Sequence, residues 1–434
     1  MAIESFIKKK LTERDHPHLF QLVRTLGKPR YAFKDRVKYL GLRVRDVEFD
    51  LFDAVLPDEP RAAETTKRIL FIEDRVPHHH LGSGYPRSNE MIAELLRQGH
   101  SVTLYPMTFW DEDEASVYSD IDREVDVILR EGRGGLKQFL RERLSEFDLV
   151  LVSRPHNMET LKFSLPRGRR PRIVYDAEAL FCIRDIEQRR MEGSPLSPRA
   201  VRRMIRREVR LTSGSRCVIS VSDAEGKKFA EYGNTKVFTL AHLVTPRPTP
   251  RPFAAREGFL FAGPIWNLQT PNGNAVSWFI AEVLPLIIKC LGPEVKFYVA
   301  GHCDPAALGE LQMAGVEFLG CLDDLVPAYD RARVFVAPAR FAAGVPLKIY
   351  DAAAHGVPIV TTPLLASQVS WKAGPELLVG GDAAEFATEC VRLYTDSALW
   401  EGLRDNALAR VTAECSRKVF ADRLENIIDE ALKD

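Results

Sequence analysis

The strongest constraint in this chain is a rhythm. From Lys67 onward, short apolar runs bounded by polar turns alternate with stretches of helical spacing, and after a proline-rich break the alternation starts again. "KRILFIED", "SVTLYPM", "DLVLVSR", "RIVYDAEAL", "CVISVS" and "TKVFTLAHLV" read as strands. "GYPRSNEMIAELLRQGH" sets Met91, Ile92, Leu95 and Leu96 on one helical face and stops at Gly99. "REVDVILREGRGGLKQFLRERLSEF" reads as helix throughout. Strands that are apolar on both faces need helices on both faces of the sheet. Strand–helix alternation supplies these as crossovers of a parallel sheet.

"VTPRPTPRPFAAREG", Val244–Gly258, holds four prolines and cannot continue a helix or a central strand, so it reads as a linker. Beyond it "GFLFAGP", "VKFYVAG", "VEFLG", "RVFVAPA" and "PIVTT" are strands, "NAVSWFIAEVLPLIIKCL" is a helix, and the chain ends in a largely helical stretch. The expected fold is α/β, with two doubly wound, Rossmann-like domains facing across a cleft. Residues 66–250 form the first domain and 251–412 the second. Residues 413–434 form a final helix that crosses back to the first domain. Residues 1–65 lack the rhythm and read as a basic, partly helical extension that packs on the body, docks on a membrane surface or links to another module. In such sheets ligands bind at the carboxyl ends of the strands, and the cleft is the default site.

Composition narrows the class. The chain has 434 residues and zero formal net charge, so nothing draws it as a whole toward nucleic acid or membrane. The zero conceals +7 before residue 251 and −7 after it, which predicts different partners for the two parts. Seven scattered cysteines without CxxC spacing fit a reducing cytosol. "MAIESFIKKKLTERD" lacks the apolar core of a signal peptide, and no apolar run is expected to approach the roughly 20 residues that span a bilayer. The expected location is cytoplasmic, with peripheral contact at the inner face of a membrane as an extension of that reading.

The most informative stretch is "ARFAAGVPLKIYDAAAHGVPIVTT", Ala339–Thr362. Pro346 suits a first helical position and Gly356 a helix stop, so a helix is expected over about 346–355. Gly344 allows a tight turn before it, and the free amides and dipole of the helix mouth attract phosphate. Lys348 lies in the first turn, Asp351 is on the same face, and Arg340 leaves the preceding strand at its carboxyl end. Two cations, then a carboxylate one turn deeper, match a nucleotide diphosphate with its ribose beyond. The same spacing also fits a surface i,i+3 pair of Lys348 with Asp351 and an Arg340 that caps a sheet edge. Spacing alone does not choose between them.

With "FAGPIWNLQTPNGNAVSWFIAEVLPLI", "FLGCLDDLVPAYDRARVFVAPARFAAGVPLKIYDAAAHGVPIVTT" and "RILFIEDRVPHHHLGSGYPRSNEMIAELLRQGHSVTLYP", the chain from about Lys67 to its end resembles glycosyltransferase family 4, of the GT-B fold. The resemblance implies retaining, metal-independent transfer of a hexosyl or deoxyhexosyl group from a nucleotide sugar (UDP-, GDP- or dTDP-linked) to an acceptor hydroxyl. The nucleotide diphosphate sugar is then a co-substrate and no cofactor is expected. The acceptor is a glycan or lipid-linked molecule in polysaccharide or glycoconjugate assembly. Donor-binding positions carried over are Gly82, Ser83 and Gly84 in the glycine loop, and Arg340, Gly344, Val345, Lys348 and Asp351 in the donor segment. Of the family's two donor-segment glutamates, Asp351 matches the second, shortened by a methylene, and Ala343 stands where the first would be. The family's Arg/Lys pair after the first strand of its second domain is missing from "GPIWNLQTPN". Glu178 stands where the family often has a histidine. Glu178, Lys348 and Arg340 are therefore the expected catalytic groups: Arg340 and Lys348 on the diphosphate, Glu178 on the acceptor hydroxyl.

Other signals carry less. "DED", Asp111–Asp113, and "HHH", His78–His80, invite metal, but short acidic runs are common in loops and three consecutive histidines diverge. Arg202, Arg203, Arg206 and Arg207, with Arg210, share one broad helix face. They read either as a solvated charged helix or as a patch for an anionic membrane or a lipid-pyrophosphate-linked glycan. No RNA-binding motif accompanies them, so nucleic acid is not an expected partner. Two rivals share the architecture: a nucleotide-sugar epimerase, and a catalytically silent GT-B scaffold that binds glycan or partner enzymes. A dinucleotide dehydrogenase is set aside because "GSGYPR" is not GxGxxG.

Overall fold

The computed structural model describes residues 66–433 except His80, Ser83 and Asn234. Residues 1–65, for which an extension was expected, and Ser83 of the glycine loop lie outside the described residues. The described residues belong to one compact unit.

Seven strands form the first sheet: β1 (Arg68–Arg75), β2 (Ser101–Phe109), β3 (Asp126–Val127), β4 (Leu149–Ser153), β5 (Ile173–Asp176), β6 (Cys217–Ser220) and β7 (Lys236–Thr239). Their order is β3-β2-β1-β4-β5-β6-β7, all parallel. The second sheet has β8 (Glu257–Ala262), β9 (Phe297–Ala300), β10 (Val316–Gly320), β11 (Ala332–Ala337), β12 (Ile359–Thr361) and β13 (Leu378–Val379). Its order is β10-β9-β8-β11-β12-β13, again parallel. Apolar clusters cover both faces of each sheet, as the unbroken apolar strands require. In both sheets the direction of winding reverses once, between β1 and β4 in the first and between β8 and β11 in the second. These are the crevices where doubly wound sheets hold ligands.

The helices that matter below are α1 (Tyr85–Arg97), α2 (Cys182–Met191), α3 (Pro198–Val209), α4 (Asp223–Tyr232), α5 (Pro271–Trp278), α6 (Leu347–Ala354), α7 (Ser397–Cys415) and α8 (Arg417–Leu432). The stretch read as helix over 123–147 is different at its start. Asp126–Val127 adds an edge strand beside Thr103 and Leu104, the backbone turns at Arg130 with φ 70°, and the helix runs only over Gly132–Arg143. Pairing with an open sheet edge overrode local helix propensity there. The expected helix over 274–291 is interrupted by a π turn at Phe279–Val283. Pro285 has no amide hydrogen for the carbonyl four residues back and its ring crowds that carbonyl, so the bonding widens over the preceding turn. Pro271–Leu291 has the length and apolar composition of a membrane-crossing helix. Glu282 and Lys289 break that run in the sequence, and Val276, Phe279, Val283 and Ile287 are buried in the second domain's core.

Two connections join the domains, and they run side by side. The Val244 amide donates to the Cys415 carbonyl at 3.0 Å. Further along the proline-rich linker, the Arg247 and Thr249 amides donate to the carbonyls of Ala354 and His355 at 2.8 and 3.0 Å. The linker thus satisfies carbonyls that the end of α6 leaves open. After Cys415 the chain turns at Ser416 into α8, which packs on α1 and β6. There Phe420, Leu424, Ile427 and Ile428 are buried with Met91, Leu95, Cys217 and Ile219.

Candidate active site

The second domain's crevice is built from the ends of β8 and β11. After β8 the chain enters α5, whose first turn carries Asn272 and Asn274. After β11 it reaches Arg340, then α6 with Lys348 in its first turn. Lys348 Nζ donates to Asn272 Oδ1 at 2.7 Å and lies 4.0 Å from the centre of the Phe261 ring. Arg340 donates through Nε and Nη2 to Asn274 Oδ1 at 3.2 and 3.0 Å and covers the Trp278 ring. The Asn272 amide nitrogen donates to the Pro264 carbonyl at 2.8 Å, which turns its oxygen toward the lysine. Gly263, at φ 149°, leaves the space this needs, because a Cβ there would sit 2.9 Å from Lys348 Nζ.

Among the described residues neither cation forms an ion pair, and Glu282 acts on Arg340 only from beyond ion-pair distance. Burial pushes the Lys348 ammonium down to about 7 and lowers the Arg340 guanidinium too. Both side chains are half-buried cations without a carboxylate partner, and an anion between them would offset the cost of that burial. The i,i+3 surface pair that the spacing also allowed is absent, since Lys348 turns to Asn272 instead. Asp351 makes no ion pair with Lys348, and burial raises its carboxyl to about 7.

The loop before α6 touches the first domain. Gly344, at φ 78°, lies against Ala179, and its amide donates to Glu225 Oε1 at 3.1 Å. The other carboxylate oxygen of Glu225, on α4, accepts from the Leu180 amide at 3.3 Å. The Gly344 amide expected to be open for phosphate is therefore occupied by a carboxylate from the opposite domain. Val345 contributes its side chain to the second domain's core, and Ala343 packs against the first domain's cluster around Ile183.

The first domain's crevice holds a buried charge network. Glu73 and Asp74 end β1, Arg154 follows β4 and Glu178 follows β5. Arg154 Nε donates to Glu73 Oε1 at 2.7 Å and Nη1 to Glu178 Oε2 at 2.9 Å. Its guanidinium lies 4.2 Å from the Tyr85 ring centre. Burial raises the Glu178 carboxyl while Arg154 pulls it the other way. Gly84, at φ 89°, comes so close to the Glu178 carboxylate that a Cβ would collide with it. Gly82 stands in open space and needs glycine for no such reason. Arg87 is buried in a 2.8 Å pair with Asp176.

The structure thus brings Gly84, Glu178 and Gly344 together where the domains meet, and sets Arg340 and Lys348 side by side in the second crevice. Arg202, Arg203, Arg206 and Arg207 lie on the exposed face of α3, with Ile205 and Val209 turned inward. Of the "DED" run, Glu112 pairs with His78 and Arg75, and Asp113 caps the following helical turn. Sequence reading passed over Asn272, Asn274, Glu225 and Arg154. A usable signal existed for Arg154. "FIEDR", "LVSRP" and "VYDAE" each place charged groups immediately after an apolar strand, where a doubly wound sheet binds.

Residues 256–396 match the sequence model described as Glycosyl transferases group 1. A protein of Klebsiella pneumoniae described as an uncharacterized 44.6 kDa protein in cps region is 26% identical over 173 residues, 37% of this chain. The match spans only 44% of that protein's length. Among solved structures, sucrose-phosphate synthase from Thermosynechococcus elongatus superposes with a TM-score of 0.65 at 15% identity, covering 84% of this chain and 98% of that one. HepE from Anabaena in complex with UDP-glucose gives 0.59 at 16%, covering 84% and 99%. From these and the two parallel sheets, the chain has the GT-B fold of two Rossmann-like domains, and its residues 256–396 carry the sequence pattern of group 1 glycosyl transferases.

Proposed function

We propose that this protein is a retaining glycosyltransferase that moves a hexosyl or deoxyhexosyl group from a nucleotide diphosphate sugar to an acceptor hydroxyl in polysaccharide or glycoconjugate assembly. The observation that carries the reading is the pair Arg340 and Lys348, held by Asn274 and Asn272 at the second sheet's crevice with no ion-pair partner among the described residues. The diphosphate lies against these two cations and the mouth of α6. As the sugar–phosphate bond breaks, negative charge grows on the leaving diphosphate, and fixed cations in a desolvated mouth stabilise that charge more than they stabilise the intact donor. The reading needs no metal ion. The acceptor approaches from the first domain, where Glu178 orients its hydroxyl. Donor entry displaces the Glu225 carboxylate from the Gly344 amide, so turnover includes an opening and a reclosing of the domains. The relative from a cps region and the UDP-glucose complex of HepE support a glycan product and a nucleotide-sugar donor. The exposed arginines of α3 fit a cytoplasmic enzyme that works at the inner face of a membrane on a lipid-linked acceptor.

Incubation of the full chain with UDP-, GDP- and dTDP-linked glucose tests the reading. Nucleoside diphosphate release, with the anomeric configuration of the new bond read by proton NMR, is expected for one of the three. A donor whose free sugar changes configuration without transfer would mean an epimerase instead. Ala343 and the occupied Gly344 amide favour one further reading, a scaffold that binds nucleotide without turning it over.

A further inference from the structure

The first domain's crevice carries more than an ion pair. Arg154 and Glu178 are non-glycine residues with left-handed backbones, at φ 77° and 53°, at the ends of the neighbouring strands β4 and β5. Such conformations cost free energy and concentrate at functional sites. Both side chains are buried, at 8% and 7% exposure, and they pair with each other at 2.9 Å. Yet each keeps one polar atom with no hydrogen-bond partner among the described residues: Arg154 Nη2 and Glu178 Oε1. A buried donor or acceptor without a hydrogen bond is expensive, so both atoms call for a partner. They belong to one ion pair, so only a guanidinium edge, one hydrogen bond and a carboxylate edge separate them. The Gly84 backbone packs on the Glu178 carboxylate on one side, so closely that a side chain there would strike Oε1. Tyr85 forms an aromatic wall over the guanidinium, and Gly344 of the other domain approaches within van der Waals reach of Ala179 next door.

The two atoms define the chemistry of a ligand that would satisfy both. A phosphate or carboxylate would meet the guanidinium but be repelled by Glu178 and by Glu73 behind it. An ammonium would be repelled by Arg154. The complement of one free donor beside one free acceptor is a neutral group that both accepts and donates, which is a hydroxyl or two neighbouring hydroxyls. We propose that Arg154 Nη2 and Glu178 Oε1 together form a sugar-hydroxyl subsite, in which Arg154 is a substrate-binding residue in its own right. This deepens the glycosyl-transfer reading and rests on it for the identity of the sugar, which belongs to the donor or to the acceptor.

Crystals of the full chain soaked with UDP-glucose, and separately with glucose alone, read the subsite directly. A sugar hydroxyl within hydrogen-bond distance of both atoms is expected in at least one soak. A protein group or a lone water there in both soaks overturns the proposal. In solution, Arg154→Lys keeps the charge facing Glu73 but loses the second arm, and Glu178→Gln keeps the shape. Where the melting temperature shows a variant to be folded, each is expected to lower transfer from the active nucleotide-glucose by about tenfold or more. UDP affinity stays within about twofold, because the nucleotide is held by the other domain. Weakened UDP-glucose binding with unchanged UDP binding assigns the hydroxyl to the donor. Unchanged binding of both, with slower transfer, assigns it to the acceptor. Folded variants that transfer at wild-type rates overturn the proposal. A wild-type chain that binds no nucleotide overturns the glycosyl-transfer reading, and the glucose soak still decides whether the subsite exists.

Discussion

Lys348 carries a charge that its surroundings do little to welcome. Burial brings its titration to about 7, and its neighbours are an amide oxygen and an aromatic face. Its folded value lies below the unfolded one, so the native state binds fewer protons than the unfolded state between pH 7 and 10.5, and stability rises with pH across that window. Lys348→Met should therefore raise the melting temperature more at pH 6 than at pH 9, as differential scanning calorimetry would show. A bound diphosphate reverses the preference by holding the lysine charged. Nucleotide binding at pH 8 should take up a proton, read from calorimetry in two buffers of different ionisation enthalpy, and affinity should fall as pH rises above 7. Lys348→Ala should abolish most turnover and leave the fold intact. Arg340 and Lys348 were legible as candidates because strand end and helix start are local features of sequence. Their asparagine partners were not, because Asn272 and Asn274 come from the far side of a crevice that only the sheet order creates.

The loop before α6 is fastened to α4 through Glu225, whose carboxylate bridges the Leu180 and Gly344 amides. A carboxylate on that amide competes with phosphate for the same donor. Glu225→Gln should accordingly tighten nucleoside diphosphate binding by a few-fold to about tenfold, measured by calorimetry. Unchanged affinity would mean that the Gly344 amide takes no part in binding. The strands were readable almost throughout, because an apolar run between turn residues has few alternatives. Elements that depend on distant partners were not. Asp126–Val127 became a strand only because β2 offered an edge, and Leu378–Val379 only because β12 did. The bend at Phe279–Val283 was latent in Pro285 and could have been read there.

Both domain connections meet at the Val244–Cys415 hydrogen bond, so the two halves pivot about one short segment. The final helix α8 belongs to the first domain's core although it follows the second in sequence. Leu424→Ala should destabilise by about 2–5 kcal/mol, the usual cost of emptying a buried leucine site, and melting should report it in the first domain before the second. The +7 and −7 halves predict different partners, and the exposed arginines of α3 are part of the positive half's charge. That two crevices would face each other was legible in the repeated strand–helix rhythm. That they would touch through Gly344, Ala179 and Glu225 was not, because contact between domains depends on how the hinge sets them. The most direct test is calorimetric titration of UDP, GDP and dTDP into the full chain and into its Arg340→Gln/Lys348→Gln double variant. One nucleotide should bind the wild type and lose about a hundredfold or more in affinity for the variant, with melting temperature preserved. Absence of binding by all three, or equal affinity for both proteins, would contradict a diphosphate held by these two cations.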